Sequence, residues 1–266
     1  MRRWGSAILA IACTAGVLTG CAPDTVRVSY RPPVGALYRH EVRVHSVTTI
    51  RLAGSPPEET VDDALLLTED TVLSAGPGEV RVQVRIRQAG KADRTFVVRL
   101  DRAAQLAGVE TVEGLPQSVL EPGALPQILP GAPGAPPDRP LAPGERWTID
   151  APAGMPGNGG ARVMGSGRLV ELGLLDGRKV ASTRARTRVP LTNTTQLRGS
   201  VLSLDGAETT EGTATRTLDD GAVERATAVT RGEFRVRLVP SADEQAIPVE
   251  GTLSIEVRSE TRRLRP

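Results

Sequence analysis

Apolar and polar residues alternate with a period of two along most of the chain from Tyr38 onward. Glu79-Val-Arg-Val-Gln-Val-Arg-Ile-Arg87 sets Val80, Val82, Val84 and Ile86 on one side and Glu79, Arg81, Gln83, Arg85 and Arg87 on the other. Successive side chains of a strand point to opposite faces, and a helical period cannot hold so long an alternation. Tyr38 to Val44 follows the same rule, with Tyr38, His40, Val42 and Val44 facing in, and so do Phe234–Leu238 and Leu253–Arg258. Clean alternation predicts antiparallel sheets with one face in water.

Turn signals fall between these runs. Ala75-Gly-Pro-Gly-Glu79 and Leu175-Asp-Gly-Arg178 read as hairpin connections, and Asp205-Gly206 and Asp220-Gly221 carry the same device. Helical signal is confined to a turn or two at Asp101–Leu106. Eleven prolines lie between Gly114 and Gly160, so most of that stretch is excluded from helix interiors and central strands. Gln117–Leu129, with spaced apolar residues, reads either as a crossover packed over the sheets or as part of a linker. The expected fold is mainly β, with antiparallel sheets forming a sandwich or a half-barrel. Phe96–Asp101 followed by Ala107–Gly114 parallels Thr213–Asp220 followed by Gly221–Ala226: a strand ends at Leu-Asp and another follows. Two similar halves around a Pro-rich crossover would produce this, and so would recurring hairpins.

The N-terminus has a different pattern. Arg2 and Arg3 precede an uncharged apolar run, Ala7–Leu18, of twelve residues. A membrane-spanning helix needs about 20 apolar residues, so the run reads as an export signal, not a span. Leu18-Thr19-Gly20-Cys21 resembles the lipobox of bacterial lipoproteins. That resemblance implies a diacylglyceryl group on the Cys21 sulfur and cleavage between Gly20 and Cys21. Cys13 leaves with the signal, so Cys21 is then the single cysteine, and no disulfide or cysteine metal site remains.

The implied organisation is a signal peptide over 1–20, removed on export, then a lipidated cysteine and tether over 21–35. A first β half covers 36–114, a Pro/Gly-rich connection 115–160, and a second β half 161–262. Leu37-Tyr38-Arg39, a Leu-Pro segment, Gly144-Glu-Arg-Trp147 and Leu218-Asp-Asp-Gly221 together resemble a family of uncharacterised β-rich bacterial lipoproteins, a domain of unknown function. The resemblance implies a β-rich fold and no catalytic residues. Trp147 reads as a core plug where the second half begins.

Charge removes one class of function. The formal net charge is +2. Without residues 1–20 it vanishes, since Arg2 and Arg3 leave and no acid goes with them. A neutral body lacks the basic stripe that nucleic acid requires. The low lysine content, Lys91 and Lys179 only, fits a G+C-rich bacterium.

Catalytic constellations are missing from the pattern. His40 and His45 are five apart on a strand, hence on opposite faces, and cannot chelate one ion together, and His40 reads as a satisfied histidine at a sheet edge. Gly165-Ser-Gly167 lacks the spacing of a nucleophile elbow. Glu58-Glu59, Asp62-Asp63, Glu69-Asp70 and Asp219-Asp220 are neighbours in sequence, and adjacent strand residues point apart. Gly154–Gly160 precedes a strand, so no helix N-terminus would face a phosphate. The arginine rows 81/85/87, 184/186/188 and 235/237 read as a solvated face paired with acids, or as contacts to anionic headgroups or envelope polymer.

The expected function is a non-catalytic, membrane-anchored binding or interaction module of the cell envelope, outside the cytoplasm, without cofactor or metal. Its membrane contact is through acyl chains on Cys21. The alternative is a carrier of lipid or another apolar ligand in a curved sheet, and an envelope hydrolase is the third class.

Overall fold

The computed structural model describes residues 25–104, 106–113, 134–152, 161–197, 200–240 and 248–265. The lipobox residues Leu18–Cys21, the segment Gln117–Leu129 and the glycine-rich stretch 154–160 lie outside the described residues.

Among those described, every regular element is a strand. They are β1 (Val26–Arg27), β2 (Leu37–Leu52), β3 (Glu58–Ala75), β4 (Glu79–Gln88), β5 (Arg94–Asp101), β6 (Leu106–Glu113), β7 (Pro140–Leu141), β8 (Arg146–Pro152), β9 (Arg162–Leu175), β10 (Arg178–Leu197), β11 (Ser200–Thr217), β12 (Val223–Pro240) and β13 (Val249–Leu264). Eleven of them form one antiparallel sheet in the order β6-β5-β4-β3-β2-β13-β12-β11-β10-β9-β8, and β1 pairs with β7 in a small second sheet. The large sheet is a nearly closed, barrel-like curl with β6 and β8 as its edges. Of the two expected β architectures this is the half-barrel, because one continuous sheet supplies both walls.

The segment before β2 shows why the sheet must curl. The Tyr30 amide donates to the Arg102 carbonyl (2.9 Å) in the β5–β6 turn, and the Arg31 amide to the Asp220 carbonyl (2.8 Å) after β11. Strands β5 and β12 are five steps apart in the sheet. At about 4.8 Å per step a flat sheet would separate them by about 24 Å. Two consecutive amides reach both only if the sheet folds round them. This corrects the expected tether: its residues 21–24 are outside the described set, but Val28, Ser29 and Tyr30 are buried inside the curl. Apolar area withdrawn from water there outweighs the entropy of a free tail.

Alternation decides the inner face as anticipated. Tyr38, His40, Val42 and Val44 are buried while Arg39 and Arg43 are exposed, and Val80, Val82, Val84 and Ile86 are buried on β4. Two main clusters result. One joins Tyr30, Tyr38, Val72 and Phe96 with the β4 valines, and the other joins Val28, Leu141, Trp147, Ile149, Leu169 and Ala181. Trp147 is thus a core plug. Within the expected connection 115–160, residues 140–141 and 146–152 are strands β7 and β8.

The hairpin at 175–178 is a two-residue turn with Asp176 (φ 50) and Gly177 (φ 78), the left-handed pair that matches the twist of the flanking strands. Asp205-Gly206 is a correction. It lies inside β11, opposite Arg235 and Phe234. A Cβ on Gly206 would overlap the Glu233 carbonyl oxygen and come within 2.8 Å of the Phe234 Cα and Cδ1 atoms, so the glycine admits the close approach of β12 and its ring, not a turn.

Candidate functional site

Register lines up the inner-face residues of β10, β11, β12, β13 and β2 in rungs across the sheet. One rung is Val189–Glu208–Gly232–Ile255–Thr48. Its neighbour on one side is Leu191–Gly206–Phe234–Leu253–Ile50, and on the other Thr187–Thr210–Thr230–Val257–Ser46. Beyond the first neighbour comes Asn193–Leu204–Val236–Gly251–Leu52. Glu208 is the one ionisable residue in these four rungs. The outer face of the same strands differs, as Arg188–Thr209–Arg231–Glu256–Val47 illustrates.

Ile50, Leu52, Leu204 and Leu253 are half-buried and belong to none of the core clusters among the described residues. Glu208 is only 8% exposed. It makes no hydrogen bond or ion pair among the described residues. Burial pushes its carboxyl up to about 7. Gly232 opposite it lies under the Phe234 ring: a Cβ there would stand 2.6 Å from Phe234 Cε2 and 3.3 Å from the Glu208 Cγ. Below Glu208, the Thr210 and Thr230 hydroxyls bond each other at 2.9 Å.

A second polar group sits at the end of the curl that is closed by the N-terminal segment. The Tyr38 hydroxyl donates to Asp220 Oδ2 (2.8 Å), and the Arg263 guanidinium lies 4.7 Å above the Tyr38 ring. Arg263 Nη1 also donates to Glu224 Oε1 at 2.7 Å. Burial pushes Asp220 up, but hydrogen bonds from Thr217, the Ala222 amide and Tyr38, with Arg263 nearby, hold it below its ordinary value. Burial raises the Tyr30 and Tyr38 hydroxyls and lowers Arg216 to about 10. Asp219-Asp220 is therefore turn chemistry as expected, with one acid also tied to β2 through Tyr38.

The two histidines separate as their spacing requires. His40 is buried, and its Nε2 donates to the Val223 carbonyl at 3.2 Å. Its Nδ1 faces Asp70 Oδ2 at 3.6 Å and the Thr68 hydroxyl at 3.5 Å. It sits mid-sheet on β2, between β3 and β13, and not at the sheet edge where the pattern placed it. His45 is exposed and bonds Asp63 at 2.8 Å. That pair borders an open depression of about 550 Å³ across β13, β2 and β3, whose rim includes Arg43, Arg258 and Glu260. Both histidines thus have an acid beside them, but on opposite faces. Among the described residues no three His, Cys, Asp or Glu side chains gather as metal ligands.

The remaining motifs have structural explanations. Gly165 and Gly167 lie in β9, where a Cβ on Gly167 would overlap the Trp147 ring. The pair Glu69-Asp70 splits across the sheet: Glu69 binds Arg39 and Arg87 outside, while Asp70 is buried inside. The arginine rows are largely cross-paired, with Arg81 on Glu110 (2.6 Å), Arg85 on Asp93 (2.6 Å) and Arg235 on Asp205 (2.9 Å).

Glu208 escaped the sequence reading because nothing beside it alternates clearly. Asp70 was legible in principle, since Thr68 and Val72 share its parity and are buried.

No protein-family model matches the chain, and no curated protein matches it. Among solved structures it is similar to OmpTdeltaL8, a loop L8 deletion mutant of OmpT, an outer membrane protein of Vibrio cholerae. The identity is 7% and the TM-score 0.20, over 87% of this chain and 100% of that one. A likeness at that score carries no argument.

Proposed function

We propose that the chain is a lipid-anchored, non-catalytic binding protein of the bacterial cell envelope that holds an apolar ligand against the inner face of its incomplete barrel. The anchor reading rests on the basic start, short apolar run and Leu18-Thr19-Gly20-Cys21, with two acyl chains giving stable attachment where one is marginal. The observation that carries the ligand is the set of inner rungs through Ile50, Leu52, Leu204 and Leu253. These side chains are half-buried, turned away from the charged outer face, and outside every core cluster among the described residues. Fully burying one such side chain is worth about 1.5–3 kcal/mol, so a ligand lying across several gains appreciable affinity.

The test is native mass spectrometry of the full chain purified from its own host in detergent. A co-purifying apolar species, or uptake of added octadecan-1-ol that Leu253→Glu abolishes, is expected. Absence of both overturns the reading.

A further inference from the structure

Resting on that reading, we infer that the ligand is an amphiphile with a positively charged amine, and that Glu208 is the residue that pairs with it. A buried carboxyl is ordinarily hydrogen-bonded or ion-paired, because leaving it alone forfeits its hydration without return. Glu208 is only 8% exposed. It has no partner among the described residues. Glu224, on the same side of the sheet, is as deeply buried yet accepts a hydrogen bond from Arg263.

The surroundings are arranged for an occupant. Gly232, directly opposite Glu208 on β12, carries no side chain, and the Phe234 ring packs over it beside the Glu208 stem. On one side the half-buried Leu253 and Ile50, next to the buried Leu191 and Phe234, offer apolar surface to a chain, and on the other the half-buried Thr210, bonded to Thr230, offers polar contact. An ammonium group brings both charge and donors to the one acid, while its hydrocarbon covers the apolar rung. A fatty acid would set carboxylate against carboxylate. Burial raises Glu208 to about 7, and a bound ammonium group would favour its charged form. Charge-assisted pairing in a dry site is strong because water no longer screens it.

The experiment uses the full chain in detergent, with octadecylamine, octadecan-1-ol and octadecanoic acid added singly at equal concentration and bound species counted by native mass spectrometry. The amine is expected to bind at least tenfold more tightly than the alcohol, and the acid more weakly than either. Glu208→Gln should abolish the preference for the amine over the alcohol. Glu208→Asp, which keeps the charge, should preserve the preference and stands in if the glutamine variant fails to fold. Equal binding of amine and alcohol, or a preference that survives Glu208→Gln, overturns the inference while leaving the apolar-ligand reading intact. Failure of all three probes to bind, with no apolar species co-purifying, overturns both.

Discussion

Nδ1 of His40 lies 3.6 Å from Oδ2 of Asp70, and both side chains are shielded from water inside the curl. Because Nε2–H donates to the Val223 carbonyl, Nδ1 carries the free lone pair and accepts. Burial lowers His40 from 6.5 to about 4 and raises Asp70 from 3.8 to about 7. The groups packed about them are Tyr30, Tyr38, Asp220, Arg216 and Arg263. Between those limits the folded pair holds one proton, on Asp70, and the unfolded pair also holds one, on His40. Equal proton counts mean that the pair contributes no slope of stability with pH over most of that window. Each single variant exposes the other group's linkage. In Asp70→Asn, the His40 contribution is present above pH 6.5 and lost as pH falls toward 4. In His40→Gln, the Asp70 contribution is present below pH 3.8 and lost as pH rises toward 7. Urea titrations between pH 4 and 7 should show opposite slopes relative to the parent, each up to about 1.4 kcal/mol per pH unit. Slopes of the same sign would disprove the shared proton.

Gly167 is packed beneath Trp147. Gly167→Ala should destabilise by about 1–3 kcal/mol, since overpacking forces the ring off its rotamer or shifts the backbone. A red-shifted tryptophan emission should accompany the lower Tm. An unchanged Tm would mean that the ring has room to move.

Tyr38 reaches across to the β11–β12 turn. Removing its hydroxyl in Tyr38→Phe deletes the 2.8 Å bond to Asp220 but leaves the contacts from Thr217 and the Ala222 amide. The expected loss is about 1–2 kcal/mol in denaturant unfolding. Faster amide exchange at residues 217–222 should localise it to the turn.

Cys21 is testable in cells. Cys21→Ala should accumulate as a larger, unlipidated precursor, visible as a mobility shift with no label from radioactive fatty acid. Label still incorporated into that variant would refute the anchor.

Face assignment was readable from the residues because strand period is local. Tyr38–Val44 and Glu79–Arg87 needed only alternation, and the turn at Asp176-Gly177 needed only its backbone preference. The same local logic misread Asp205-Gly206, where the glycine serves Phe234 on a neighbouring strand. It also placed His40 at a sheet edge, since strand order is not written in alternation. Neither could be found without the register between β11 and β12 or the pairing of β2 with β13.

By itself, the amino-acid sequence determined the antiparallel β class, the alternation of inner and outer faces and the turn at Asp176-Gly177, because each follows from neighbours along the chain. Only the tertiary structure decided that one sheet curls around Val28–Tyr30, that Asp70 faces His40, and that Glu208 lies on the inner face without a partner among the described residues. Those relationships join residues from strands far apart in sequence. They arise from cross-strand register and burial, which set both what a side chain touches and the energetic cost of its charge.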